Sequence, residues 1–315
     1  MTVLITGIGG YIGRRLAATL LARGDTVRGI DRRREGLADL ATQGVKAIVA
    51  DVTDQAIVRA ALDGVTTVYH LAGSPFGRRN ELEQSALRAA EALSAACIAQ
   101  PQLQALIFAS SGALYPSGPQ QLDEATPPQP AFAYARSKHA AEQYFLNAHA
   151  ERGLPVRIAR IGAVYGPAAP ALMIEQVRRG RFPLIGGGHG YTSSIQIDDA
   201  IQALIAVAER GRAGRIYNLV DDEPATVREF YTFLAQQLGA PPPPSIPVFA
   251  ARMLVFAANT GARLRGRPAP LPADLTTMAQ VSHRIANRRM HDELGLKLRF
   301  PNYRAGLTAL TENES

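Results

Sequence analysis

Tyr134 and Lys138, in the run Tyr134-Ala135-Arg136-Ser137-Lys138, stand at positions i and i+4. On a helix that spacing sets a phenol and an ammonium one above the other on a single face. A free tyrosine titrates near pH ~10 and is a poor base at neutral pH. A cation held beside it lowers that value, so the pair is expected to exchange a proton with a carbonyl or alcohol oxygen. Tyr-x-x-x-Lys also arises by chance as a solvent-facing helix pair. Two features favour the chemical reading: Lys138 is one of only three lysines among 34 basic residues, and an apolar run ends in Ser110-Ser111, 23 residues before Tyr134. Ser111 is expected to hydrogen-bond the reacting oxygen; a plain turn serine is its alternative.

A second constellation lies at the start of the chain. Gly7-x-x-Gly10-x-x-Gly13 separates the apolar run Thr2 to Thr6 from a helical stretch, Arg14 to Arg23. Glycines at that handover give a tight turn, a close approach of backbone to a pyrophosphate, and close helix–strand packing. The helix N-terminus adds unpaired N–H groups for the phosphates. Asp31 closes the next strand, 18 residues after Gly13, where an acid can accept hydrogen bonds from a ribose 2′-hydroxyl. Asp51, in Asp51-Val52-Thr53-Asp54, follows a third strand and is placed either against the adenine or as a helix N-cap. Asp31 favours NAD, whereas Arg32 and Arg33 could pair with the extra phosphate of NADP; NAD is the favoured cofactor.

These residues need a scaffold, and the pattern supplies one. Strand signals at Thr26–Ile30, Val45–Val49, Thr67–Leu71, Ala105–Ser110 and Val156–Ile161 alternate with helical stretches at Gln55–Leu62, Asn80–Ala99 and Tyr134–Arg152. That alternation implies an α/β fold with a doubly wound parallel sheet. After Pro167 the texture becomes richer in Pro and Gly and less regular. Ile216–Val220 reads as a strand returning to the main sheet, Val227–Leu238 as a helix, and Pro247–Ala258 as an apolar core helix. The expected division is a dinucleotide-binding domain of 1–166 plus about 191–222, and a smaller, discontinuous C-terminal substrate lobe of 167–190 and 223–315.

With 315 residues and 47% hydrophobic content, the chain can bury a core, which excludes disorder as its main state. The net charge of +7 is carried by arginines scattered along the chain, a solvated surface rather than a nucleic-acid footprint. No run is long and apolar enough to span a bilayer, and one cysteine, Cys97, excludes a disulfide framework. No two histidines stand at i and i+4, so no zinc site is expected. His189 reads as a solvated loop residue and Cys97 as a small core residue. The expected compartment is the cytoplasm, with no membrane or nucleic-acid partner.

Thr6-Gly7-x-x-Gly10-x-x-Gly13, His70-Leu71-Ala72-Gly73, Ser110-Ser111-x-x-x-Tyr115, Tyr134-x-x-x-Lys138 and Val164-Tyr165-Gly166-Pro167 together resemble an extended short-chain dehydrogenase/reductase of the NAD-dependent epimerase/dehydratase family. Ile197-Asp198-Asp199-Ala200, Tyr217-Asn218-Leu219 and Pro301-x-Tyr303-x-x-Gly306-Leu307 extend the resemblance to the whole chain. It implies a Rossmann-type domain with a substrate lobe, a homodimer, and hydride transfer at a carbinol carbon. It also implies a site of Ser111, Tyr134 and Lys138. The cofactor set is then Gly7, Gly10, Tyr11, Ile12, Asp31, Arg32, Asp51, Val52, Leu71, Ala72 and Gly73, with Tyr134 and Lys138 shared.

Departures from the family pattern bear on substrate. Gly112-Ala113 stand where dehydratases carry Asp-Glu. Ala163 and Thr192 replace the Asn and Arg that grip nucleotide sugars, and Ser85 replaces an Asn of the long fourth helix. The expected function is therefore NAD(P)-dependent oxidoreduction of a secondary alcohol or ketone on a non-nucleotide small molecule. A sugar-nucleotide 4-epimerase is the alternative, and a non-catalytic dinucleotide-sensing regulator the remote one.

Overall fold

The computed structural model describes residues 1–74, 79–167, 171–267 and 269–312; of the expected lobe, 168–170, 268 and 313–315 lie outside the described residues. Seven strands form one parallel sheet: β1 (Thr2–Thr6), β2 (Thr26–Asp31), β3 (Lys46–Val49), β4 (Thr67–His70), β5 (Ala105–Ser111), β6 (Val156–Ile161) and β7 (Ile216–Leu219). Their order is β7-β6-β5-β4-β1-β2-β3. Thr6 pairs with Ile30 on one side and His70 on the other. The chain therefore winds outward in both directions from β1 and β4, and their carboxyl ends form the crevice where such sheets bind ligands.

Strand side chains alternate between faces, and both faces are covered. Val3 and Ile5 point into a core with Leu16, Leu20, Leu204 and Val207, whereas Leu4 points into a second core with Val58, Leu93 and Phe145. The first seven helices are, in chain order, α1 (Tyr11–Ala22), α2 (Leu37–Thr42), α3 (Gln55–Ala61), α4 (Arg79–Ile98), α5 (Ala133–Arg152), α6 (Ala171–Arg178) and α7 (Ile197–Arg210); all but α6 supply these layers. The irregular reading after Pro167 missed α7. Its Ile197, Ile201, Leu204 and Val207 are buried against the sheet, a clear helical period. Its Asp199 carboxylate accepts the backbone N–H groups of Arg299 (2.9 Å) and Phe300 (2.8 Å), so Asp199 ties the C-terminal chain to α7, while its neighbour Asp198 pairs with Arg15 of α1.

The remaining helices are α8 (Val227–Gln237), α9 (Val248–Leu264), α10 (Leu275–Met278), α11 (Arg288–Leu294) and α12 (Tyr303–Glu312). Tyr165, Val177, Phe230, Leu234, Tyr303 and Leu307 form a third core. A Cβ at Gly306 would lie 2.4 Å from the Tyr165 hydroxyl, which explains a glycine inside α12. Met290 and Leu294 of α11 return to the first core beside the sheet. Cys97 is buried, as expected, and His189 is exposed.

One helix departs from its expected role. Pro247–Ala258 reads as a core helix, yet in α9 only the small residues Ala251 and Val255 are buried. Phe249, Met253, Leu254 and Phe256 are 71, 62, 61 and 66% exposed. Apolar composition alone carries no information about which way the bulk faces.

Candidate active site

A cleft of about 570 Å³ opens at the carboxyl ends of β1 and β4. Gly7 has φ +75°, and a Cβ there would lie 2.7 Å from the backbone nitrogen of Ala72. A Cβ at Gly13 would lie 2.5 Å from the carbonyl oxygen of Gly7. Only glycine lets the turn and α1 come this close to each other and to β4. Gly10 is the N-cap of α1 and no side chain caps it, which leaves backbone N–H groups of the first turn available to an anion. Asp31 is buried at the end of β2. Its Oδ2 accepts the N–H of Gly9 (3.0 Å) and its Oδ1 that of Arg33 (3.0 Å). Two oxygens with about four acceptor directions retain capacity for a ribose hydroxyl. Asp51 accepts both the N–H and the hydroxyl of Thr53, at 2.9 and 2.8 Å, and lies 3.7 Å from Arg32. Burial raises its pKa, but these partners outweigh it and hold the carboxyl below its usual value. The same acidic cluster supplies the helix N-cap of α3, at Asp54.

Gly7, Gly10, Asp31, Arg32, Asp51, Val52, Leu71, Ala72, Gly73, Tyr134 and Lys138 all line this cleft. Tyr11, Ile12 and Ser111 lie off its wall. The Tyr11 hydroxyl donates to the carbonyl of Pro167 (2.9 Å), so its part at a cofactor would be through its backbone. A nicotinamide dinucleotide suits this donor set: uncapped N–H groups at a glycine cradle for the pyrophosphate, Asp31 for a ribose, and Tyr134 with Lys138 at the far end.

On α5, Tyr134, Lys138 and Glu142 recur every four residues and face the sheet. Tyr134 keeps partial exposure to the cleft, and Ser111 is the one side chain that acts to lower its pKa. Lys138 is buried; its Nζ donates to the carbonyl of Ala109 (2.7 Å) and sits 5.0 Å from the Phe108 ring centroid and 5.9 Å from that of Tyr134. The sequence expectation of an acidified phenol is corrected here. Burial pushes Tyr134 up to about 12 despite Ser111, and burial pushes Lys138 down to about 8. Desolvation penalises both charged forms, and the ammonium is aimed at a carbonyl rather than at the phenol. With its pKa at about 12, Tyr134 is a phenol rather than a phenolate at neutral pH.

The Lys138 shift has a consequence for stability. From 10.5 to about 8, the folded protein binds fewer protons than the unfolded chain, so the charge costs stability below pH 8 and the cost fades as pH rises toward 10.5. The cost is on the order of 3 kcal/mol. Lys138→Met should therefore raise the melting temperature of the cofactor-free protein at pH 7, by a margin that shrinks toward pH 10, while lowering turnover and dinucleotide affinity. Melting curves across that range check this; a lower melting temperature at neutral pH would refute it.

Three features escaped sequence reasoning. His70 Nδ1 lies 2.6 Å from the Thr6 hydroxyl and its ring stacks on Phe108; burial pushes its pKa down to about 3, so a neutral imidazole floors the cleft. Glu142 is fully buried, accepts the Ser110 hydroxyl (2.6 Å), and pairs with Arg160 at 2.5 Å. The cap of α5 comes from far away: Phe132 offers no side-chain hydrogen bond, and Asp274 Oδ2 accepts the N–H of Ala133 (2.8 Å) instead. Of these, only Glu142 had a local signal, the helical spacing from Tyr134 and Lys138.

Fold and site together define a dinucleotide-dependent oxidoreductase. A profile described as the NAD dependent epimerase/dehydratase family matches residues 3–219. A Streptomyces protein named 3-diazoavenalumate denitrifying reductase is 30% identical over 98% of this chain and 99% of its own length. The Stigmatella aurantiaca 4-hydroxy-2-methyl-3-oxo-4-farnesyl-3,4-dihydroquinoline-1-oxide ketoreductase is 30% identical over 76% of this chain and 74% of its own. A dTDP-glucose 4,6-dehydratase from Bacillus anthracis in complex with NAD shares the fold, with a TM-score of 0.79, 18% identity, and coverage of 99 and 96% of the two chains. The chain belongs to the NAD-dependent epimerase/dehydratase family, within the extended short-chain dehydrogenases/reductases, and is an NAD(P)-dependent enzyme.

Proposed function

We propose that this enzyme reduces a ketone on a non-nucleotide small molecule to a secondary alcohol, with NAD as its preferred cofactor. The observation that carries the reading is the Tyr134 phenol at the cleft wall beside buried Lys138, whose ammonium is anchored on the carbonyl of Ala109. A nicotinamide dinucleotide held in the cleft by the glycine turn and Asp31 would supply hydride chemistry at the carbonyl carbon. Tyr134 gives its phenolic proton to the oxygen as negative charge develops there, and solvent later returns a proton to the phenolate. Ser111 holds the oxygen in line and exchanges no net proton. Lys138, 5.9 Å from the Tyr134 ring centroid and anchored on the Ala109 carbonyl, would favour the transient phenolate by its charge and could hold the nicotinamide ribose with a remaining N–H.

Substrate class follows from what the site omits. Gly112 and Ala113 bring no carboxylate for water elimination, and Ile285 Cδ1 lies 2.6 Å from where a Cβ at Gly112 would stand. Ala163 has no polar side chain and Thr192 carries a short hydroxyl where an arginine would bring a guanidinium, so neither offers the family's grip on a nucleotide. The names of the Streptomyces and Stigmatella relatives likewise give no nucleotide sugar. A panel of ketones, alcohols and nucleotide sugars tests the reading. Ketone-dependent oxidation of the reduced cofactor supports it, and efficient 4-epimerisation of a nucleotide sugar overturns it.

For the cofactor, a 2′-phosphate would meet Asp31 and Asp51, while Arg32 leans on Asp51 and Arg33 lies 3.9 Å from Asp31. NAD should bind more tightly than NADP, and Asp31→Ala should narrow the gap. Titration of wild type showing a tenfold preference for NADP, about 1.4 kcal/mol, would reverse this assignment.

A further inference from the structure

α9 is built the opposite way from a helix that packs on its own protein. Its small residues Ala251 and Val255 face inward, and on the neighbouring side Asn259 is locked to the backbone of Leu271 by hydrogen bonds of 3.0 and 3.2 Å. Its bulk faces out. Phe249, Met253 and Phe256 recur at i, i+4 and i+7 on one exposed face, which Leu264 continues. Between Phe230 and Ala273 the chain carries four arginines, Arg252, Arg263, Arg265 and Arg267, and no acidic residue. All four arginines are exposed. The acids that bound this stretch are already engaged. Glu229 closes a capping box with Thr226, and Asp274 serves Ala133 and, at 3.8 Å, Arg136.

We propose that α9 docks in the plane of an anionic lipid bilayer, with Phe249, Met253, Phe256 and Leu264 entering the headgroup region and the arginines on the phosphates. A helix with large apolar residues on one face and cations as its only charges has the chemistry of an interfacial helix. A second copy of the chain fits this face poorly, because it would set four arginines against four arginines in a protein already at +7, and like charges across an interface oppose association. No helix among the described residues is long and apolar enough to cross a membrane, so the association is peripheral. It departs from the sequence expectation of no membrane partner, which rested on the want of a spanning segment. The docked face is joined to the active site through Asn259, Leu271 and Asp274, whose carboxylate caps α5 one residue before Tyr134. The proposal does not depend on the ketone reading, since its test measures binding to lipid.

The test is flotation of the full chain with vesicles of phosphatidylcholine alone and of phosphatidylcholine mixed with phosphatidylglycerol. Wild type should float with the mixed vesicles and not with the neutral ones, and added salt should weaken the binding. The double variants Met253→Ser/Phe256→Ser and Arg263→Glu/Arg265→Glu should each lose affinity by about tenfold or more. Both should retain the thermal shift on adding dinucleotide, which shows that the fold is intact. Wild type that fails to float, or variants that float as well as wild type, would overturn the proposal. So would a wild-type dimer that ignores vesicles and that Met253→Ser/Phe256→Ser dissociates, since the face would then belong to a second copy.

Discussion

Tyr134→Phe should lower turnover by about 10²–10⁴-fold, the usual range for removing a general acid, and should leave dinucleotide affinity nearly unchanged. Hydride arriving at a carbonyl carbon leaves negative charge on the oxygen, and that charge must be met by a proton in the same event. Tyr134 opens onto the cleft, and burial pushes its pKa up to about 12, so it holds its proton at neutral pH. His70 cannot take over: buried, with its pKa near 3, it carries no proton to give as an imidazolium. Ser111→Ala should cost less than Tyr134→Phe, because the serine orients the oxygen without supplying the proton. Turnover and dinucleotide affinity of the two variants decide the matter. Near-normal turnover of Tyr134→Phe would show that the proton travels by another route.

The largest effect on stability should come from Arg160→Met. Glu142 and Arg160 are both removed from solvent, with Nη2 to Oε1 at 2.5 Å and Nε to Oε2 at 3.2 Å. The guanidinium also lies 4.8 Å from the Tyr115 ring centroid, and its Nη1 is buried without a hydrogen-bond partner. Burying two charges is costly, and their attraction roughly repays the cost while both are present. Removing one strands the other, typically at about 3–5 kcal/mol. The double variant Arg160→Met/Glu142→Gln should recover much of that loss, since no charge is left stranded. Denaturant unfolding of the singles and the double gives the coupling directly. A single variant within about 0.5 kcal/mol of wild type would mean that the pair is solvated. Because Glu142 also accepts from Ser110, the residue beside Ser111, and shares a helix face with Lys138 and Tyr134, Arg160→Met should lower turnover as well.

The residues proposed to carry the chemistry were legible because each belongs to a local pattern. The glycine spacing needs only one turn between one strand and one helix. Tyr134 and Lys138 need only one helix, and the strand limits at Val156–Ile161 coincide with the expected ones. Helix α7 was missed although its apolar period is regular, because the surrounding Pro and Gly masked it. The ties through Asp274, across 141 residues, and Asn218, which accepts from Tyr115 103 residues away, have no local signature. Their partners meet only after the sheet has formed.

The sequence by itself determined the parallel α/β sheet and the place of the glycine turn in it, and it pointed to the residues proposed to handle the proton. Those follow from side-chain periodicity and backbone hydrogen bonding within a few turns of chain. The tertiary structure alone decided the sign of the Tyr134 shift, the charge pair beneath it, and the outward turn of the bulky residues of α9. Each of these depends on how much water and which distant charges surround a group, and that is set by packing between segments far apart in the chain.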